Sequence, residues 1–497
     1  MNLTEIVRAH AEQYPSQVAI VDRVGRRTRR TTYQEFEQAV DKLSVMFGRH
    51  GLQAGDSVLL LQPMSAELYI TVAAILRSGM TVMFVNPFAG RRSIERCCQM
   101  HPPQAMVASV KGHLLRLLSP AIRRIPTMYS IGGRVPGARR LEQYVGFTGN
   151  AEVHDCAAHT PALVSFTSGS TGDPKATVRT HGFLAAQHLA VEQHLSLASG
   201  QIELVTMPIF VLANLASRVT SVIADADLTQ IGNPNPIRIV EQIEKQNVDR
   251  ITASPAFLNR ILDHCECNNV RLDGIRRILT GGGPVSPRLL RRLERVAPDA
   301  AILAVYGSSE VEPICTLSSS ALPGDYVSQV RNGSGLLAGK PVESLSVRVI
   351  EDKCGTPLGR LSLPQFETLC RPTGQPGEIV VSGEHVLDHY VDGKLAEDNK
   401  FSVKGDRWHR TGDAGYFDGY GRLWLVGRCA ARIDDDRGTV YPLVVEQASA
   451  TDPHIENAAF VSLDGKRILA VTLNQASSEL PTARLQRELS FAKIDAI

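Results

Sequence analysis

Short apolar runs alternate with amphipathic windows from about residue 30 onward. SVLLLQP is followed by SAELYITVAAILRSG, then by TVMFVNP, SIERCCQM and AMVAS. Strand, helix, strand, helix is the order this pattern predicts, and it is the grammar of an α/β layer fold. The pattern recurs as IRIVEQIEKQNV before DRITAS and as SPRLLRRLERV before AAILAVYG. Residues 135–161 turn polar and rich in Gly and Ala, which predicts a surface connection. From about Gly339 the pattern becomes β-rich, with SLSVRVIED, GEIVVSG and GYFDGYGRLWLVGR. Asp418-Gly419 and Tyr420-Gly421 are turn signals between apolar runs, and a smaller barrel-like or sandwich lobe is expected there. After Arg428 a short α+β tail remains. No internal repeat or low-complexity tract interrupts the chain.

At 497 residues the chain is long enough for about three structural units, or for one large multi-lobed enzyme core with an appendage. Hydrophobic residues at 43% and charged residues at 21% exclude disordered, collagen-like and small disulfide-scaffold classes. Lys+Arg 53 against Asp+Glu 51 leaves a formal charge of +2, so the overall balance makes no case for a nucleic acid partner. The nine cysteines form no CxxC and no Cys/His quartet at zinc spacing, which fits a reduced intracellular protein. The N-terminal MNLTEIVRAHAEQYP lacks the continuous apolar core of a signal peptide. The most apolar stretch, Tyr69 to Val85, is interrupted by Arg77 and Gly79 and falls short of a membrane span. A cytoplasmic protein without a transmembrane segment is expected, with peripheral lipid contact left open.

The segment ALVSFTSGSTGDPKATVRTHG carries the strongest chemical signal. An apolar strand runs directly into Thr167-Ser168-Gly169-Ser170-Thr171-Gly172-Asp173-Pro174-Lys175. Glycines let backbone N–H groups turn toward an anion, hydroxyls add donors, and Lys175 supplies a point charge; together they suit a triphosphate. The string is not a Walker A loop, which needs Gly directly before the Lys and a hydroxyl directly after it. A P-loop kinase or ATPase is therefore disfavoured. Three further strings follow in order: Leu279-Thr280-Gly281-Gly282-Gly283-Pro284, then Tyr306-Gly307-Ser308-Ser309-Glu310, then Arg410-Thr411-Gly412-Asp413 with Gly427-Arg428.

This ordered set resembles the adenylate-forming superfamily of acyl-CoA synthetases, peptide-synthetase adenylation domains and luciferases, across essentially the whole chain. The resemblance implies an α/β fold whose large, multi-lobed N-terminal domain has two α/β layers and a β-rich lobe, followed by a small mobile α+β C-terminal domain. It places the adenylation domain at residues 1–428, the β-rich lobe at about 339–428 and the lid at 429–497. It implies that Thr167, Ser168, Gly169, Ser170, Thr171, Gly172 and Lys175 cradle the phosphates of ATP. Gly281, Gly282, Gly283, Tyr306, Gly307, Ser308 and Ser309 would hold the adenine end, and Asp413 and Arg428 the ribose. Glu310, with Thr171, would hold Mg²⁺, a hard cation that prefers oxygen ligands.

The tail departs from the family pattern. Residues 429–438, CAARIDDDRG, lack the IKxxG string often used to bind the acceptor thiol. The terminal Ala492-Lys493-Ile494-Asp495 resembles a GKID motif, whose lysine contacts the carboxylate and α-phosphate; this makes Lys493, with Thr171 and Glu310, the catalytic candidates. Several local strings, including MPIFVLANLASRVTSVIADAD and GRCAARIDDDRGTVYPLVVEQ, look most similar to olefin-pathway β-lactone synthetases. The expected activity is adenylation of a carboxylic acid, fatty or β-hydroxy fatty, with release of pyrophosphate. The acyl group then passes to CoA, to a carrier-protein thiol or to its own β-hydroxyl. A catalytically weakened nucleotide- or acyl-binding homologue is the alternative from another class. Chain length of the acid and oligomeric state are not legible in the sequence.

Overall fold

The computed structural model describes residues 2–85, 90–168, 174–227, 234–390, 398–474 and 482–497, without the side chains of residues 167, 168, 174, 175, 389 and 390. The chain forms two compact units, Met1–Thr252 with Leu387–Ala396, and Ala253–Val386 with Glu397–Ile497. Residues 429–497 thus lie within the second unit.

In the first unit the apolar runs read from the sequence are the strands Ser57–Leu61, Thr81–Phe84 and Ala105–Ser109, with the helices Ala66–Arg77 and Gly90–Met100 between them. The strands are buried on both faces, so each is written as a continuous apolar run without alternation. They belong to an eight-stranded sheet in which Pro161–Ser168, Thr81–Phe84, Ser57–Leu61, Ala105–Ser109 and Thr127–Ile131 lie side by side and parallel. Leu59, Met83, Met106, Cys97, Cys98 and Val164 share one buried cluster on this sheet. Ser65 starts the helix Ala66–Arg77 by accepting from the Leu68 N–H.

A second layer in this unit is built on the parallel strands Ile202–Val205, Thr220–Ile223 and Arg250–Ala253. Its centre holds a fully buried ion pair. Glu203 accepts from Arg250 Nε at 2.6 Å, from Thr252 Oγ1 at 2.6 Å and from Asn214 Nδ2 at 2.7 Å, while Arg250 also donates to the Leu195 carbonyl at 2.8 Å. Two charges so deeply buried hold only because their hydrogen-bonding capacity is taken up by neighbours.

In the second unit Arg277–Gly281 and Ala301–Ser308 are parallel, and the sheet continues antiparallel through Val311–Ser318, Leu336–Pro341, Leu423–Arg428, Asp406–Phe417, Gly377–Ser382 and Ser346–Ile350. The β-rich character expected from about Gly339 is present. It takes the form of an open antiparallel run continuous with the preceding strands, because Val311–Ser318 and Leu336–Pro341 bridge the two regions. The turn between Asp406–Phe417 and Leu423–Arg428 falls where the sequence signals it. There Asp418 accepts from the backbone N–H groups of Tyr420 and Arg422 and from Trp424 Nε1, and Gly421 adopts φ +70°.

After Arg428 come two hairpins, Ile433–Asp435 with Gly438–Val440 and Ile455–Leu463 with Lys466–Leu473, together with the helices Pro442–Ser449 and Thr482–Glu488. Val444, Val445 and Ala448 pack with Ala414 and Val426, so this lobe shares a core with the strands before it. No helix among the described residues is long and apolar enough to cross a membrane.

Arg250→Met leaves Glu203 as a buried charge without its counter-ion and should destabilise the protein by about 3–5 kcal/mol. Urea unfolding checks this, and the double change Arg250→Met with Glu203→Leu should recover a substantial part of the loss.

Candidate active site

The site is assembled from four segments of the second unit. Arg277–Gly281 runs parallel to Ala301–Ser308, with Gly281 opposite Val305. A Cβ on Gly281 would stand 2.4 Å from the Val305 carbonyl oxygen, so this close approach admits only glycine, and Gly282 then turns the chain at φ +72°. Ala301–Ser308 reverses at Ser309-Glu310 into Val311–Ser318, and the register slips between Tyr306 and Ser308. That irregularity places Tyr306, Ser308 and Ser309 at the cavity rather than in a regular ladder.

Asp413 and Arg428 stand directly opposite each other across the antiparallel strands Asp406–Phe417 and Leu423–Arg428. Arg428 donates to Asp413 Oδ1 at 2.7 Å, and the Tyr306 hydroxyl donates to Asp413 Oδ2 at 2.8 Å. The Asp413 backbone N–H is held by Thr411 Oγ1 at 3.0 Å. Each carboxylate oxygen keeps a further lone pair, so Asp413 can still accept from a hydroxyl-bearing ligand. Burial and the adjoining Asp413 carboxylate drive the Tyr306 phenol well above its ordinary pKa, which keeps it a donor. Desolvation opposes the charge on Arg428, but Asp413 outweighs it and raises the guanidinium further. The Arg428 head group remains largely exposed.

These residues line one cavity of about 660 Å³, together with Gly282, Gly283, Gly307, Ser308 and Ser309. The glycine turn, the aromatic motif, Asp413 and Arg428, separate in sequence, therefore meet at one place. Glu310 stands beside the cavity without lining it; its carboxylate accepts from Ser309 Oγ at 2.7 Å. The cavity has a wall that the sequence did not disclose: Ala431, Pro442, Leu443 and Glu446. Ala431 follows Arg428 directly on the turn Cys429–Ala431, and the other three arrive because the helix Pro442–Ser449 buries Val444 and Val445 against Val426.

In the first unit Pro161–Ser168 pairs with Pro174–Thr180, Thr167 opposite Lys175 and Ser168 opposite Pro174. The expected loop residues Gly169, Ser170, Thr171 and Gly172 lie outside the described residues, as do the side chains of Thr167, Ser168 and Lys175. Asn214 is buried in the core, where its amide donates to Glu203 at 2.7 Å and to Ser221 Oγ at 3.1 Å.

Lys493 does not line the cavity. Its ammonium donates to the Arg437 carbonyl at 2.9 Å, in the hairpin formed by the atypical 429–438 string. Fully buried Arg467 joins the same hairpin to the tail, donating to both oxygens of Asp435 at 2.7 and 2.9 Å and to the Ala492 carbonyl at 2.8 Å. Arg437 adds a bond to Asp495 at 2.7 Å. These arginines hold Asp435 down to a pKa of about 2, against the opposing effect of desolvation.

Beneath the site Arg410, buried, donates from Nε to both oxygens of Glu378 at 3.1 and 3.0 Å and reaches the Thr356 carbonyl at 2.7 Å. Burial pushes the Glu378 carboxyl up despite this partner. Nearby, Asp352 accepts from Tyr441 at 2.9 Å and pairs with Arg432 at 2.8 Å, which fastens the segment after Arg428 to the β-rich lobe.

A layered α/β fold with a glycine-turned, aromatic and carboxylate-bearing cavity is that of the adenylate-forming ligases. Residues 7–391 match the AMP-binding enzyme family, and the chain belongs to it. It is 27% identical over 447 residues to an olefin β-lactone synthetase of Xanthomonas campestris, covering 87% of this chain and 78% of that one. It is likewise 27% identical over 483 residues to an indoleacetate–CoA ligase of Aromatoleum aromaticum, covering 95% and 88%. The fold is similar to that of an amide bond synthetase from Marinactinospora thermotolerans, with TM-score 0.79, 20% identity and coverage of 98% and 93%. It is also similar to that of an O-succinylbenzoate CoA synthetase from Bacillus subtilis in complex with ATP and magnesium, with TM-score 0.76, 19% identity and coverage of 97% and 92%.

Asp413→Asn keeps the shape of the side chain and removes the charge that Tyr306 and Arg428 share. AMP affinity measured by calorimetry should fall by about tenfold or more, the scale of one hydrogen bond to a charged group, while the thermal midpoint moves little.

Proposed function

We propose that this enzyme uses ATP and Mg²⁺ to adenylate a fatty or β-hydroxy fatty acid. The observation that carries the reading is the meeting of Tyr306, Asp413, Arg428 and the glycine turn in one cavity of nucleotide size. A carboxylate oxygen attacks the α-phosphorus, an acyl–oxygen–phosphorus bond forms, and pyrophosphate leaves with the electrons of the broken bond. The Tyr306 ring lies against the base, Asp413 accepts from the ribose hydroxyls, and Arg428 reaches the same sugar. Thr167, Ser168, Ser170, Thr171 and Lys175 cradle the phosphates.

The protein has little covalent work to do here, so positioning and electrostatics supply most of the rate. Glu310 fits a hard dication: its carboxylate is partly exposed and accepts from the neutral Ser309 hydroxyl, so its negative charge is available. When bound, magnesium neutralises charge on the phosphates; Glu310 and Thr171 are the residues that would hold it.

Two acceptor readings follow from the relatives. Intramolecular attack by a β-hydroxyl, closing a β-lactone and releasing AMP, is favoured by two features together. The chain resembles a β-lactone synthetase, and its 429–438 string is spent on internal contacts with Asp352, Arg467 and the tail. Transfer to CoA or to a carrier-protein thiol is the second reading, supported by the CoA ligase relatives. Carboxylate-dependent exchange of labelled pyrophosphate into ATP should be observed with medium or long aliphatic acids. No exchange across a broad panel, or ADP as product, would overturn adenylation. With a β-hydroxy acid, a product lighter by one water and indifferent to CoA assigns the lactone route, and strict CoA dependence rejects it.

Lys493 is proposed to leave the Arg437 carbonyl and place its ammonium against the α-phosphate during the first half-reaction. Lys493→Ala should then lower adenylation kcat by about 10² or more, the scale of one strong electrostatic stabiliser. ATP affinity and thermal midpoint should stay near wild type. Near-normal exchange in Lys493→Ala would remove the tail from the chemistry.

A further inference from the structure

The near-zero overall charge conceals a strong local asymmetry. Residues 96–141 contain eight Lys or Arg and no Asp or Glu. Within the same segment the chain exposes large aliphatic side chains: Leu117 at 74%, Leu114 at 59%, Leu118 at 50%, and Val110. Val110 directly follows the strand Ala105–Ser109, and the leucines lie on the turn Gly112–Leu114 and the short helix Leu115–Leu118 after it.

Packing accounts for the inward residues of this segment and leaves the leucines over. His113 is buried with Nε2 3.0 Å from the Tyr129 carbonyl oxygen, Leu115 packs against the sheet cluster, and Ile122 is fully buried. Leu114, Leu117 and Leu118 point away from that core. Arg116 donates to the Pro136 carbonyl at 2.9 Å, and Arg123 to the carbonyls of Arg116 and Leu117 at 3.2 and 3.3 Å, so guanidinium groups stand directly beside the exposed leucines. Apolar side chains set beside cationic groups, on a stretch whose own sequence carries no carboxylate, match an anionic lipid surface, where the leucines enter the headgroup boundary and the arginines meet lipid phosphates. A second copy of this chain is a poor occupant, since it would bring two such cationic segments face to face.

The patch also has a meaningful place in the sheet. Ala105–Ser109 runs parallel to Pro161–Ser168, and the patch follows its carboxyl end, on the edge of the sheet where Pro161–Ser168 also ends. The Ala105–Ser109 and Pro161–Ser168 ends are three strand spacings apart, roughly 14 Å.

We propose that Leu114, Leu117 and Leu118, rimmed by Arg116 and Arg123, dock this protein peripherally on anionic membranes. The test is co-sedimentation of the full chain with phosphatidylcholine vesicles, with and without phosphatidylglycerol. Wild type should bind the mixed vesicles at low ionic strength, release as salt screens the arginines, and ignore phosphatidylcholine alone. The triple variant Leu114→Ser, Leu117→Ser, Leu118→Ser should partition about tenfold more weakly, with unchanged thermal midpoint and pyrophosphate exchange. Arg123→Glu with Arg124→Glu should weaken binding and flatten its salt dependence. Absence of wild-type binding, or undiminished binding of the leucine variant, overturns the proposal. So does a dimer in sedimentation velocity that the leucine variant abolishes while vesicles bind neither form. The vesicle result stands whether or not the acid and acceptor assignments do.

Discussion

The site depends on one register. Asp406–Phe417 and Leu423–Arg428 pair so that Asp413 faces Arg428, and the irregular end of Ala301–Ser308 brings the Tyr306 hydroxyl to the other oxygen of the same carboxylate. A slip of one residue would send both charged side chains to the opposite face of the sheet. The turn at Asp418, whose carboxylate gathers two backbone N–H groups and the Trp424 indole, fixes that register from one end. The buried pair of Arg410 and Glu378 ties down the strand before Asp413. One carboxylate is therefore bonded from both sides, by Tyr306 and by Arg428.

Much of the architecture was readable because buried parallel strands announce themselves as unbroken apolar runs. SVLLLQP, TVMFVNP and AMVAS became Ser57–Leu61, Thr81–Phe84 and Ala105–Ser109 with little shift at their ends. The β-rich region was recognised by composition, but its continuity with the preceding strands was not, since strand partners far apart in sequence are chosen by register, which composition does not encode. Gly282, Gly283, Tyr306, Asp413 and Arg428, which motif order singles out in the sequence, line one cavity. Pro442, Leu443 and Glu446 were missed because they reach the cavity only through packing of the helix that bears them. Arg467 and Asp435 were missed for a related reason: an Arg and an Asp 32 residues apart read as two solvated charges until the fold makes them one buried contact.

The two ends of the small C-terminal lobe are held differently. Its beginning is fastened to the β-rich lobe by Asp352 through buried Tyr441 and partly accessible Arg432. Its final residues are held internally, by Arg467 and Arg437.

That internal clasp also constrains how the chain can diverge. Arg467 is fully enclosed and spends its donors on Asp435 and on backbone carbonyls, so losing the Asp435 charge strands a guanidinium in a place water cannot reach. Replacing Asp435 by a neutral residue is thereby costly unless Arg467 is replaced with it. The aspartate-rich string after Arg428 is thus a structural element, which through Asp435 supplies half of a charged pair whose other half lies within the hairpin that supports the tail.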